Sequence, residues 1–175
     1  MRIIGGSLGG RSIEQPKTDK TRPMSQKVRA AIFDILGDIA DYAVLDLYAG
    51  SGALGLEAVS RGAAWVVLIE SNPKVVAVIN KNIAELGLEG TAQTIGLPVG
   101  LGLNAIEGLQ FNLIIADPPY AALDVSALNQ AAEFLTGGGV LVVSHSSKIA
   151  SPELESLELV QAKTYGDTAL SFYKK

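Results

Sequence analysis

Residues 45–58, LDLYAGSGALGLEA, join the end of an apolar run to a glycine cluster and the start of a helical pattern. Leu45 and Leu47 continue a run from Ala43 and Val44 that is short enough for a buried strand, whereas Leu54 and Ala58 recur at helical spacing. Between the two, Gly50, Ser51, Gly52 and Gly55 satisfy GxGxxG directly after a strand and at the opening of a helix. Glycines let a ligand approach the backbone, and a helix start offers free amides.

The same grammar extends on both sides. Downstream, the pattern predicts a helix over 53–61, a strand over 65–70 (WVVLIE), a helix over 73–86 and a weak strand over 92–95. FNLIIA at 111–116, a helix over 123–135 and GVLVVSH at 139–145 follow. Alternating strands and helices imply parallel pairing with both sheet faces covered. Final strands over 157–164 and 168–173, joined by YGD, predict a hairpin whose last strand runs antiparallel to the others. The segment 96–106, which contains GLPVGLGL, yields no assignment. Upstream, residues 1–15 alternate around GGSLGG as a hairpin would. A helix over 25–36 starts at Ser25, carries Val28, Ile32, Ile35 and Leu36 on one stripe, and stops at Gly37. Lys27 and Arg29 fall outside that stripe. The expectation is a basic extension over 1–40 and an α/β domain over 41–175.

Composition is globular: 175 residues, 48% hydrophobic, 18% charged and no cysteine. The absence of cysteine excludes a disulfide framework and a thiolate metal site. No secretion signal and no span of roughly 18 apolar residues is evident, so the expectation is a cytoplasmic protein, monomeric and away from membranes. The net charge of −4 is unevenly placed. Residues 1–30 hold Arg2, Arg11, Lys17, Lys20, Arg22, Lys27 and Arg29 against Glu14 and Asp19, a local excess of +5, while the remaining 145 residues sum to −9. A polyanion feels the local field within about 8 Å, so the basic arm is a candidate phosphate-binding surface on an acidic body.

The glycine loop alone does not choose between a dinucleotide and another adenosine cofactor, because Glu70, twenty residues after Gly50, suits the ribose hydroxyls of either. Asp46 is the discriminating residue. A carboxylate four residues before the loop repels a pyrophosphate but attracts the ammonium and sulfonium of S-adenosylmethionine. With that donor, a second stretch acquires a purpose: the strand FNLIIA ends on Asp117, Pro118, Pro119 and Tyr120, a stiff turn without proline amides. The Asp117 carboxylate and Pro118 carbonyl can accept both hydrogens of an exocyclic amine and aim its lone pair at a methyl group. Tyr120 can stack on a base drawn out of its helix. No metal is needed for such a transfer. His145, the single histidine, reads as a structural strand-end residue, and Trp65 as core.

DPPY resembles the [Asp/Asn]-Pro-Pro-[Tyr/Phe] signature of amino-directed methyltransferases. The chain as a whole resembles the bacterial small-subunit ribosomal RNA guanine-N2 methyltransferases, through MRIIGGSLGGR, TRPMSQKVRAAIFDIL, VLDLYAGSGALGLEAVSRGA and YGDTALSFY. The resemblance implies a Rossmann-like, seven-stranded methyltransferase sheet, mostly parallel with the last strand antiparallel. It also implies helices on both faces, S-adenosylmethionine as donor, and small-subunit ribosomal RNA in an assembled or partly assembled subunit as partner. It makes Asp46, Gly50, Gly52 and Glu70 donor-binding positions, with Tyr48, Ala49, Ser51 and Ser71 beside them and Ile95 toward the adenine. Asp117, Pro118, Pro119 and Tyr120 become the target-amine site, and Arg11, Arg22, Lys27 and Arg29 phosphate contacts. The chain departs from the family at Met24, Ala30 and Ser144, and an acidic residue near the adenine is missing from TIGLPVGL. Three other readings compete: adenine-N6 methylation, RNA binding without turnover, and a nicotinamide oxidoreductase. The last leaves Asp46 and DPPY unexplained.

Overall fold

The computed structural model of the chain describes residues 1–16 and 24–175. One sheet contains β1 (Ala43–Leu47), β2 (Trp65–Ile69), β3 (Ala92–Ile95), β4 (Phe111–Ala116), β5 (Leu135–Ser146), β6 (Glu158–Tyr165) and β7 (Thr168–Lys174). Their spatial order is β3-β2-β1-β4-β5-β7-β6. β1 pairs in parallel with β2 and β4, β2 with β3, and β4 with β5, whereas β7 is antiparallel to β5 and β6. The mostly parallel seven-stranded sheet with an inverted last strand is therefore as the sequence implies.

Among the described residues the flanking helices are α1 (Gln26–Leu36), α2 (Ala53–Ser60), α3 (Pro73–Leu86), α4 (Val99–Asn104) and α5 (Val125–Glu133). Strand side chains alternate between the two faces. Val44, Leu68 and Ile115 pack with Ile32, Leu56 and Ile79 of the α1–α3 layer. Leu45, Leu47 and Ile114 pack with Leu103 and Leu128 of the α4–α5 layer. Each such fully buried side chain contributes about 1.5–3 kcal/mol. Helix ends follow local chemistry: Ser25 accepts from the Val28 amide at 3.3 Å and Gly37 closes α1 at φ 73°. Asp124 accepts from the Ser126 and Ala127 amides, which starts α5 at Val125, two residues later than the apolar spacing suggests.

Two glycine-rich segments stand differently against expectation. The glycine-rich stretch without an assignment contains α4; a Cβ on Gly102 would lie 2.7 Å from Ile69 Cγ2, so the glycine that weakens the helix also lets it approach β2. The amino-terminal hairpin is present but short: Arg2 bridges Ser12, the Ile3 amide donates to the Arg11 carbonyl at 3.0 Å, and the Ile13 amide donates to the Met1 carbonyl at 2.9 Å. It is also fastened to α2. The fully buried Glu57 accepts from the Ile4 and Gly5 amides at 2.7 and 2.8 Å and from Arg61 Nε at 2.8 Å. The Ser60 carbonyl accepts from the Ser7 amide at 2.7 Å, and a Cβ on Gly6 would stand 1.8 Å from that oxygen. Ile3 and Ile13 thereby reach the core shared by α1, α2 and α3. No helix among the described residues is long and apolar enough to cross a membrane.

Candidate active site

Strand order reverses between β1 and β4, and in open α/β sheets the crevice outside the carboxyl ends at such a point is where ligands bind. Leu47 pairs with Ala116, so the glycine loop after β1 and the proline turn after β4 leave the sheet side by side. Both line one cavity of about 410 Å³, which contacts Tyr48, Ala49, Gly50, Ser51, Glu70, Ser71, Asn72, Asp117 and Pro119. Of the residues expected around the donor, Asp46, Gly52 and Ile95 are not among those lining it; a Cβ on Gly52 would meet Leu68, Ile79 and Leu56 of the core. Ile95 ends β3 and packs against the α4–α5 side core.

The loop is held by backbone geometry. Tyr48 has φ 60°, an uncommon value for a residue with a side chain, and Gly50 and Gly52 have φ 55° and 78°. A Cβ at Gly50 would meet only the Tyr48 carbonyl, at 3.9 Å, so this glycine leaves open space toward the crevice. Gly55 is constrained oppositely: its Cβ would lie 2.9 Å from Leu68 Cδ2, and its absence lets α2 settle on β2. Glu70 clamps the rim, with one carboxylate oxygen accepting from the Gly50 amide at 3.0 Å and the other from the Asn72 amide at 2.8 Å.

Asp46 corrects the expectation of a carboxylate at the mouth of the crevice. It is 1% exposed, lies behind the loop, and accepts from the Gly55 amide at 2.8 Å. The other oxygen is buried without a hydrogen-bond partner. Burial pushes its pKa up to about 7, the Gly55 hydrogen bond opposes that rise, and the negative charges of Asp117 and Glu70 add to it. Asp46 braces the helix start from beneath.

Across the cavity, the Asp117 carboxyl is also held above its ordinary range, chiefly by desolvation, with the Ser144 hydroxyl partly compensating. Ser144 Oγ is buried without a hydrogen-bond partner, so it acts on Asp117 as a nearby dipole. Pro118 is buried, Pro119 faces the cavity, and Tyr120 opens a short 3-10 turn over Tyr120–Ala122. Tyr120 is 40% exposed and its hydroxyl lies 2.6 Å from Thr168 Oγ1. His145 is buried, with one ring nitrogen 2.8 Å from the Ser171 hydroxyl and the other 3.0 Å from the Ser146 carbonyl.

The amino-terminal segment supplies another wall. Met1, Gln15, Pro16, Met24 and Arg29 line the cavity. Arg29 requires a second correction: it is 1% exposed, with its guanidinium donating to the Arg2 carbonyl and the Met1 sulfur, so it does not present a surface charge to phosphate. Burial lowers its pKa, and Glu57 counteracts that shift. Lys27 is exposed on α1, and Arg11 is exposed with one guanidinium nitrogen donating to the Glu85 carbonyl at 3.1 Å. Arg22 lies outside the described residues. Sequence reasoning did not single out Asn82, which ties the site together: its side chain accepts from the Glu14 amide at 2.7 Å and donates to the Glu14 and Ser51 carbonyls. A polar residue within the helical run NKNIAEL is the signal that marks it.

Comparison with known proteins gives a consistent answer. The family described as "Conserved hypothetical protein 95" matches residues 1–174. The Bacillus subtilis protein "Putative rRNA methyltransferase YlbH" is 34% identical over 182 aligned positions, covering 100% of this chain and 99% of the relative. Escherichia coli "Ribosomal RNA small subunit methyltransferase D" is 40% identical over 121 positions, covering 69% of this chain and 60% of that protein. The structure of "Putative methyltransferase yhhF from Escherichia coli" superposes with a TM-score of 0.89 at 32% identity, covering 100% of this chain and 97% of that one.

Proposed function

Because the chain belongs to the family described as "Conserved hypothetical protein 95", we infer that it methylates small-subunit ribosomal RNA, transferring the methyl group of S-adenosylmethionine to a guanine N2 amine. The observation that carries this reading is the single cavity shared by the glycine loop and the Asp117 turn. The position we propose is guanine 966. The subunit itself, assembled or partly assembled, is the proposed partner, and the cytoplasm the proposed location.

The cavity suits such a donor. Gly50 leaves room for close approach, Glu70 and Asp117 offer negative charge, and Arg29 is the cationic side chain on the described wall. In this reading the loop from Tyr48 to Ser51 and Ser71 surround the donor, Gly52 turns the chain into α2, and Glu70 accepts from ribose hydroxyls. When bound, S-adenosylmethionine supplies an electrophilic methyl group on a sulfonium. The chain's own part is orientation: Asp117 and the Pro118 carbonyl accept the two amine hydrogens, favouring a pyramidal nitrogen whose lone pair points into the cavity. Tyr120 stacks on the everted guanine. A proton leaves the amine for solvent after transfer, so no strong base is required. Arg11, Lys27 and Arg22 contact phosphate and set the register of the RNA.

Mass spectrometry of ribosomal RNA from cells lacking this protein tests the reading. The expected result is loss of one N2-methylguanosine from small-subunit RNA, restored by the intact gene. Loss of an N6-methyladenosine instead, or an unchanged modification profile, overturns it.

A further inference from the structure

Strand β7 is inverted, so its first residue stands beside the carboxyl end of β5, where Thr168 pairs with Ser146. The turn before it is fastened to that end: the Ser147 amide donates to the Asp167 carbonyl and the Ser147 hydroxyl to the Gly166 carbonyl, both at 2.9 Å. Thr168 is thus presented on a rigid corner. Tyr120, 48 positions earlier in the chain, reaches it with a 2.6 Å hydroxyl contact. Because Tyr120 is 40% exposed, water could satisfy that phenol equally well. What the contact adds is orientation, since it fixes the far rim of the ring without covering its faces.

We propose that Thr168 is a positioning residue that holds the Tyr120 ring in the orientation that receives the everted base, making the β6–β7 turn part of the acceptor site. The inference rests on the functional reading above, in which Tyr120 stacks on the target guanine. A tyrosine free to rotate must be immobilised when RNA binds, and a ring already tethered is ordered beforehand, which favours binding. The same contact explains why the inverted hairpin matters to the site: an additional parallel strand would bring its carboxyl end to this edge, without the tight Tyr165–Gly166–Asp167 turn that presents Thr168.

The test is methyl transfer to small ribosomal subunits at saturating S-adenosylmethionine, comparing wild type with Thr168→Val, Thr168→Ser, Tyr120→Phe and the Thr168→Val/Tyr120→Phe double variant. Thr168→Val is expected to raise KM for the subunit by about three- to tenfold, with a smaller change in kcat and unchanged donor affinity by calorimetry. Thr168→Ser, which keeps the hydroxyl, should restore the wild-type KM. The double variant should be no worse than Tyr120→Phe alone, because both remove the same contact. Wild-type kinetics for Thr168→Val, failure of serine to rescue, or multiplicative effects in the double variant would overturn the positioning role while leaving the reaction intact. A wild-type protein that methylates no subunit preparation would instead remove the functional reading, and this inference with it.

Discussion

The two walls of the crevice are built differently. On the β1–β2 side, the loop amides are engaged: Glu70 holds those of Gly50 and Asn72, one Asp46 oxygen holds that of Gly55 while the other is buried behind the loop without a partner, and Asn82 holds the Ser51 carbonyl. On the β4–β5 side, Asp117 is desolvated near a buried Ser144 hydroxyl that has no hydrogen-bond partner, and Tyr120 is open to solvent on one contact. One wall is preformed by its own backbone; the other keeps polar capacity in reserve. That contrast suits a reaction in which a small donor is gripped first and a bulky acceptor must enter, displace water and be oriented.

Substitutions that affect one wall alone break or sharpen the contrast. The largest effect is expected from Asp117→Ala, which should slow methyl transfer by about 10²–10³-fold, the loss typical of one oriented electrostatic partner, with donor binding by calorimetry nearly unchanged. A large fall in donor affinity would show that the walls are not separable. On the opposite wall, Asp46→Asn tests the buried charge. Its folded pKa of about 7 stands above the ordinary carboxylate value of 3.8. Ionisation therefore costs more in the folded state, and the stability it withholds is lost progressively as pH rises from about 4 to 7. Asn keeps the acceptor for Gly55 and removes the charge. Asp46→Asn should thus be more stable than wild type at pH 8, by on the order of a few kcal/mol, and the advantage should shrink toward pH 5 in thermal unfolding. A pH-independent difference would contradict the assignment. The smallest effect belongs to neither wall: Lys27→Ala should lower the salt slope of RNA binding by about 0.7–0.9, with turnover at saturating RNA little altered. An unchanged slope would remove this face of α1 from the interface.

Much of this architecture is legible because burial imposes period. VLDL, WVVLI and LIIA are covered on both faces, so they read as apolar runs, and GSG between a run and a helix marks the turn. The two halves of the cavity follow from topology, since both motifs end parallel strands. What the sequence hides are places where a polar group is buried for a reason many positions away. Arg29 falls outside the stripe of Val28, Ile32, Ile35 and Leu36, yet the buried Phe33, four residues after it, widens the covered face to include it. Glu57 sits in an otherwise nearly apolar helix; its partner Arg61 is four residues on and readable, but the docked amides of Ile4 and Gly5 are not. Asp46 shows the same limit: the strand-end position is evident, but the direction of its carboxylate depends on how closely Gly55 approaches. In α4, close contact with Ile69 outweighs the poor helix propensity of glycine.

The docking of the opening residues onto α2 and α3 has a consequence for how the molecule comes into being. Ile4 bonds to a residue 53 positions further on, and Glu14 to one 68 positions further on. A ribosome extending the chain at roughly 5–20 residues per second leaves the first segment without its seat for several seconds, with Ile3 and Ile13 in water meanwhile. This segment is made well before the helices that seat it, so its safe passage through that interval depends on the chain behind it.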